Sequence, residues 1–223
     1  MKAAKADQAF CPRYAGEVVS AANRRGLAAA ITVALLFSVP ALASWQDEAS
    51  PRDADRLAHL NQARGQGLED AARGNPGFYA AARSILSANA VASDAHRLVG
   101  TWHCRTMKLG GATPSIVYGW FRCRIAPRGD GTLSFEKLGG STRISGTLYP
   151  DQGGFVYLGA QYVTAYGPAE KKPAYSGKGA SAGANETPDD QIGLLTLTAD
   201  GRARLELPYP VQESDFDVIE LKR

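Results

Sequence analysis

The chain is 223 residues long, with 25 basic and 22 acidic residues, a formal net charge of +3 and 44% hydrophobic residues. This length suits a single domain behind a leader, and the near-even charge balance gives no argument for nucleic acid or an anionic membrane as partner.

Residues 1–23 are polar and without period; Arg24 and Arg25 then precede the apolar run GLAAAITVALLFSVPALA. This is the order of a secretory signal, and the small-x-small triplet Ala41-Leu42-Ala43 predicts cleavage between Ala43 and Ser44. The run falls short of the ~20 apolar residues a spanning helix needs, so a membrane anchor is the weaker alternative. A start near Val18 would give a more ordinary signal, and the twin arginines leave the export route open. Removing residues 1–43 takes away Lys2, Lys5, Arg13, Arg24 and Arg25 with Asp7 and Glu17, so that 20 basic and 20 acidic residues remain from 25 and 22. The mature chain is then neutral, periplasmic or secreted, and not membrane-spanning, with no nucleic-acid partner expected. An oxidising compartment follows.

Residues 44–96 read as a helical hairpin. Ser50 suits an N-cap with Pro51 at the first helical position, and Leu57, Leu60, Leu68 and Ala72 recur at helical spacing, although Gly65 and Gly67 weaken the segment. Gly74-Asn75-Pro76-Gly77 stops it, and residues 78–88 form a second helix with Phe78, Ala81, Ala82 and Ile85 on one stripe. Such a pair must bury its stripe, and the strands that follow are the expected surface. Docking of a partner is the functional alternative.

Residues 98–126, LVGTWHCRTMKLGGATPSIVYGWFRCRIA, read as two strands joined by a Gly-rich turn. Alternation places Leu98, Gly100, Trp102 and Cys104 on one face, and Val117, Gly119, Phe121, Cys123 and Ile125 on one face of the second strand. A turn centred between Thr113 and Pro114 sets Cys104 opposite Cys123 and Trp102 opposite Ile125. With Cys11 ahead of the cleavage site, these two cysteines are the even pair that remains, and a disulfide is expected; two free buried thiols are the alternative.

Further strand signals recur with turn chemistry between them. Asp130-Gly131 precedes residues 132–138, Gly139-Gly140 leads to 142–149, and residues 150–154 lead to 155–163. After a Gly/Ala/Ser/Lys-rich loop over 164–190, strands 191–198 and 202–207 flank Ala199-Asp200-Gly201, and 214–221 is the last. A three-residue loop with Gly201 left-handed pairs Leu197 with Ala203 and Leu195 with Leu205, and turns Arg202, Arg204 and Glu206 outward. Eight strands in meander order close most economically as a barrel, because closure removes both edges. The expected fold is therefore mainly β (α+β): a helical hairpin over 44–96 packed on an eight-stranded antiparallel up-and-down barrel over 97–223, folding as one unit.

Gly100-Thr101-Trp102 near the first strand and Lys222-Arg223 after the last resemble the lipocalin and calycin arrangement. A small secreted metalloprotease inhibitor of bacteria is similar in its barrel, its first-strand Trp and its single disulfide, but has no counterpart to the helical preface. The stretches LVGTWHCRTMKLGG, YGWFRCRI, GGSTRISGTLYP, FVYLGA and ESDFDVIELKR resemble a family of secreted proteobacterial proteins known as a domain of unknown function. That resemblance covers nearly everything after the signal and implies a single domain with no assigned activity.

Motifs for chemistry are few. Gly179-Ala180-Ser181-Ala182-Gly183 has the spacing of a nucleophile elbow but lies in a loop, and no His follows His103 to serve as base. His59, His96 and His103 lack a second ligand at metal spacing, and a bridged Cys104 cannot bind zinc. Gly177-Lys178 lacks the upstream glycine of a phosphate loop, and Arg128-Gly129-Asp130 reads as a turn. Neither catalytic residue, metal nor cofactor is expected.

Arg105, Arg122 and Arg124 form one notable cluster on the face opposite the cysteines, beside His103, Tyr118 and Trp120. The expected register sets Arg105 against Arg122 and His103 against Arg124. Such like charges need acids, from Asp215 and Asp217 or from Glu69 and Asp70 of a helical hairpin laid over this face, or else an anionic ligand. Three function classes remain. The favoured one is a non-enzymatic binding or interaction module that takes a small ligand or protein partner at the barrel mouth or the 164–190 loop; a periplasmic protease inhibitor and a hydrolase follow.

Overall fold

The computed structural model describes residues 43–164, 173–177 and 189–223. The expected signal peptide up to Leu42, and Gly179 to Gly183, lie outside the described residues. In chain order the elements are helices α1 (Trp45–Glu48), α2 (Pro51–Ala58), α3 (Leu60–Ala72) and α4 (Pro76–Leu86), strand β1 (Ala90–Val91) and helix α5 (Ala95–Leu98). Strands β2 (Gly100–Leu109), β3 (Ser115–Val117), β4 (Phe121–Pro127), β5 (Leu133–Lys137) and β6 (Thr142–Asp151) follow, then β7 (Gly154–Val163), β8 (Asp190–Thr198), β9 (Ala203–Pro208) and β10 (Phe216–Lys222).

Each short turn returns the chain beside the strand it has just left, so β4, β5, β6, β7, β8, β9 and β10 pair antiparallel in succession. Strand β2 pairs with β4 on one side and with β10 on the other. The result is a closed eight-stranded up-and-down barrel without a free edge among these strands. Leu195 faces Leu205 and Leu197 faces Ala203, the register read from the leucine pattern. Strand β1 adds to the far end of β8, so residues 90–98 leave the helical hairpin for a short strand and a single helical turn.

The first hairpin departs from expectation in register. Trp102 faces Cys123, Gly100 faces Ile125 and Cys104 faces Phe121, a slide of two residues that keeps every side chain on its face. The chain turns about Ala112, earlier than expected, which alone would slide the pairing by three residues, and a bulge takes back one. Three residues, Tyr118, Gly119 and Trp120, lie between the pairs Met107 with Val117 and Cys104 with Phe121, where β2 supplies only Arg105 and Thr106. The extra residue reverses the parity of β3, so Val117 turns to the outside and joins Met107 there. Cys104 and Cys123 are diagonal neighbours and are bridged, with α-carbons 5.9 Å apart.

Inward-facing residues fill the lower lumen: Trp102, Ile125, Leu133, Phe135, Leu148 and Phe155 pack with Leu195, Leu205 and Leu221 around the disulfide. Tyr157 lies across Gly146 and Gly159, whose missing side chains leave room for its ring. Helix α5 plugs this end, its Leu98 fully buried and its Leu98 carbonyl accepting from Trp102 Nε1 at 2.7 Å.

The helices cover the outer face of β2, β8, β9 and β10. The long first helix breaks at His59 into α2 and α3; Ser50 caps the start as expected, its Oγ accepting from Asp53 N, whereas α4 starts two residues before the expected Phe78, at Pro76, with Asn75 Oδ1 accepting from Gly77 N. Met107, Leu109, Phe216 and Val218 meet Leu60, Ala63, Ala82 and Ile85. Gly67 is needed here, since a β-carbon would come within 2.8 Å of Phe216 Cβ. Arg204 and Glu206 do point out of the barrel, but α3 and α4 bury them. Glu206 accepts from Arg64 at 2.6 Å and from Arg204 at 2.9 Å, while Arg204 Nη1 reaches the carbonyls of Ile85, Leu86 and Ala88 at the end of α4. Cationic groups are favoured at that negative helix terminus. Among the described residues no helix is long and apolar enough to cross a membrane.

Candidate functional site

Alternation carries the inward faces of the strands upward from an apolar floor to a polar rim. At the end opposite α5, β2 presents Lys108, β5 Lys137, β7 Gln161, β8 Gln191 and β10 Asp217 toward the axis, with Phe121, Ile144, Leu207 and Ile219 between them. These groups enclose a mouth of about 70 Å³, suited to a group of a few heavy atoms and far smaller than the several hundred Å³ of drug-sized sites.

The two lysines differ. Lys108 Nζ sits 3.3 Å from Asp217 and 3.2 Å from Glu213; burial lowers its pKa, but the two carboxylates more than offset this and hold the ammonium above its ordinary value. Asp217 is further bound by Ser214 Oγ at 2.6 Å. Lys137, only 6% exposed, donates to the Thr142 carbonyl at 2.5 Å and lies 4.5 Å from the centre of the Phe121 ring. Among the described residues no carboxylate lies within 4.0 Å of it. Burial, with the Arg143 charge nearby, pulls its pKa down to about 8. Gln191 Nε2 donates to Gln161 Oε1 at 3.2 Å, while Gln191 Oε1 and the Tyr157 hydroxyl are buried without a hydrogen-bond partner. A cation without a carboxylate and an acceptor without a donor, among the described residues, are groups of one mouth that a ligand can satisfy.

A family model described as a domain of unknown function, DUF4893, matches residues 45–221. The chain belongs to the DUF4893 family. No curated protein and no solved structure matches it. The DUF4893 match takes in the helices, the closed barrel and every residue of the mouth.

The arginine cluster of this DUF4893 protein is not a convergent site. Arg105 pairs with Glu220 at 2.7 Å and stacks at 4.6 Å over Trp120, which Lys222 approaches at 4.1 Å. In the observed register His103 faces Arg122 and Thr101 faces Arg124, and Arg124 reaches Glu136 at 3.7 Å. The acids thus are Glu220 of β10 and Glu136 of β5, whereas Asp217 serves Lys108 inside the barrel and Asp70 of α3 serves Arg73. The helices cover a different face, which leaves Arg122 and Arg124 exposed. No group of three His, Cys, Asp or Glu residues among the described ones could hold a metal ion. Of the 164–190 loop, only Thr164, 173–177 and 189–190 are described; there Tyr175 Oη donates to Asp53 at 2.6 Å and accepts from Ser50 N, tying the segment to α2.

Sequence reasoning named the barrel mouth but none of the polar residues that line it, although their signal was present. Lys108, Lys137, Gln161, Gln191 and Asp217 each occupy an inward position at the same end of their strands. Buried at that cost, Lys137 is expected to lower stability: Lys137→Met should raise it by about 1–2 kcal/mol at neutral pH, after allowance for water at the mouth. The sign follows from linkage. Lys137 holds fewer protons folded than unfolded between pH 8 and its ordinary 10.5, so the wild type regains stability over that interval and the gain fades. Thermal melts of both proteins across this range test it; a gain independent of pH would assign the effect to packing alone.

Proposed function

We propose that this DUF4893 protein is an exported, non-enzymatic binding module that holds a small molecule in the mouth of its barrel. The observation that carries the reading is the contrast between the two ends of one lumen. The lower end is closed by α5 and packed with apolar side chains, whereas the upper end keeps a lined cavity in which, among the described residues, Lys137 has no carboxylate and Gln191 Oε1 no donor. Packing alone has no use for a buried ammonium without a carboxylate, because an apolar residue of similar volume serves stability better. Export is supported by the disulfide, which an oxidising compartment maintains, and by the charged, apolar and small-residue order of residues 24–43.

Protein recovered from the periplasm of an exporting bacterium should have an intact mass beginning at Ser44. Ligand-detected NMR with a library of small fragments should then find binders that Ile144→Trp, which fills the mouth, abolishes without loss of fold. Retention of Met1 would refute export. Fragments that bind the filled variant equally well, or an absence of binders, would refute the mouth.

A further inference from the structure

The unsatisfied groups of the mouth specify more than its size. Lys137 carries three N–H donors, of which the Thr142 carbonyl takes one, and the Phe121 face steadies the charge without neutralising it. The second ammonium, Lys108, already has Asp217 and Glu213 beside it, so Lys137 is the ammonium of the mouth with no carboxylate within 4.0 Å among the described residues. A complementary ligand therefore brings an anionic group to Lys137. Gln191 Oε1 imposes a different requirement: it is buried, 4% exposed as a residue, and it needs a donor, which a carboxylate cannot supply. Ile144, Leu207 and Ile219 require that the atoms joining anion and donor be apolar, and about 70 Å³ limits them to a few carbons.

We infer that the ligand is a short hydroxycarboxylate, its carboxylate accepting from Lys137 Nζ and its hydroxyl donating to Gln191 Oε1. This rests on the mouth reading and deepens it. Each half of the ligand answers one group: the carboxylate restores a partner to the buried ammonium, and the hydroxyl to the buried amide oxygen. Neither a simple fatty acid nor a neutral diol answers both. Sulfate has no donor for Gln191 Oε1 and no apolar surface for Ile144 and Leu207.

Titration calorimetry of the exported protein with L-lactate and 3-hydroxybutyrate tests the assignment, with propanoate, propane-1,2-diol and sulfate as comparisons. One of the two hydroxy acids should bind about tenfold or more tighter than propanoate and the diol, the worth of one buried charged or neutral hydrogen bond. Binding should weaken as pH rises above about 8, where Lys137 loses its proton. Lys137→Met should abolish it, and Gln191→Leu should bring the hydroxy acid and propanoate to equal affinity. Equal binding of the diol, equal binding of sulfate, or indifference to Lys137→Met would overturn the inference while leaving the mouth reading to stand on its fragment screen. Binding of hydroxy acids that persists in Ile144→Trp would overturn both.

Discussion

Replacing Cys104 with serine is expected to lower the stability of the barrel by roughly 2–5 kcal/mol, the range for native bridges of small secreted domains. Two effects add. The bridge closes a loop between residues separated by 19 positions, and its loss returns that freedom to the unfolded chain. Both cysteines are also fully buried in the lumen, so the new hydroxyl and the abandoned Cys123 thiol sit among Trp102, Phe135 and Ile125. A Cys104→Ala, Cys123→Ala double variant keeps the first loss and avoids much of the second, so it should fall between the wild type and the serine variant. Equilibrium denaturation of the three proteins measures this, and reduction of the wild type should reproduce most of the loss. A serine variant within about 1 kcal/mol of wild type would mean that the reduced hairpin is held as well by its pairing alone.

Glu206→Ala is expected to cost about 3–5 kcal/mol, because it removes one partner of a buried ionic group and leaves the others behind. Glu206 is 0% exposed, and its two oxygens accept from Arg64 of α3 and Arg204 of β9. Without it two guanidinium groups face each other beneath the helices, and the only compensation left to Arg204 is the carbonyl end of α4. The damage should be regional as well as global. Hydrogen exchange in α3 and α4 should accelerate more than in β4–β6, on the far side of the barrel. A loss under about 1 kcal/mol, or uniform acceleration, would show that water already solvates the group and that apolar contact alone seats the helices.

The barrel was legible because closed meanders are written in turns. Asp130-Gly131, Gly139-Gly140 and Ala199-Asp200-Gly201 each mark a reversal, and the leucines flanking the last fix its register unambiguously. The first hairpin was legible only to its faces. Alternation is blind to a slide of two residues, and the bulge at Tyr118-Gly119-Trp120 sends Val117 to the opposite side without any change in composition. Arg204 and Glu206 show a related limit. Their side of the sheet follows from parity, but their burial depends on α3 and α4, whose docking face no strand pattern reveals. The lining of the mouth was hidden for a third reason. Each of its polar residues looks like the ordinary end of a strand, and only the closure of eight strands brings Lys137, Gln191 and Asp217 around one axis.

That closure also dictates the order in which the molecule can come into being. The seam between β2 and β10 joins residues 115 positions apart, as at Arg105 and Glu220, so it forms after every intervening strand is available. A chain synthesised from its N-terminus delivers β2 early and β10 last. Until then β2 and β9 each offer a row of unpaired amides, the surface through which nascent sheets aggregate. The local link between Cys104 and Cys123 can form long before, since it waits only for residue 123. Oxidation would then pin β2 against β4 while the remaining strands arrive, and the slow, non-local step of folding is the capture of β10 between two edges that have been kept apart for it.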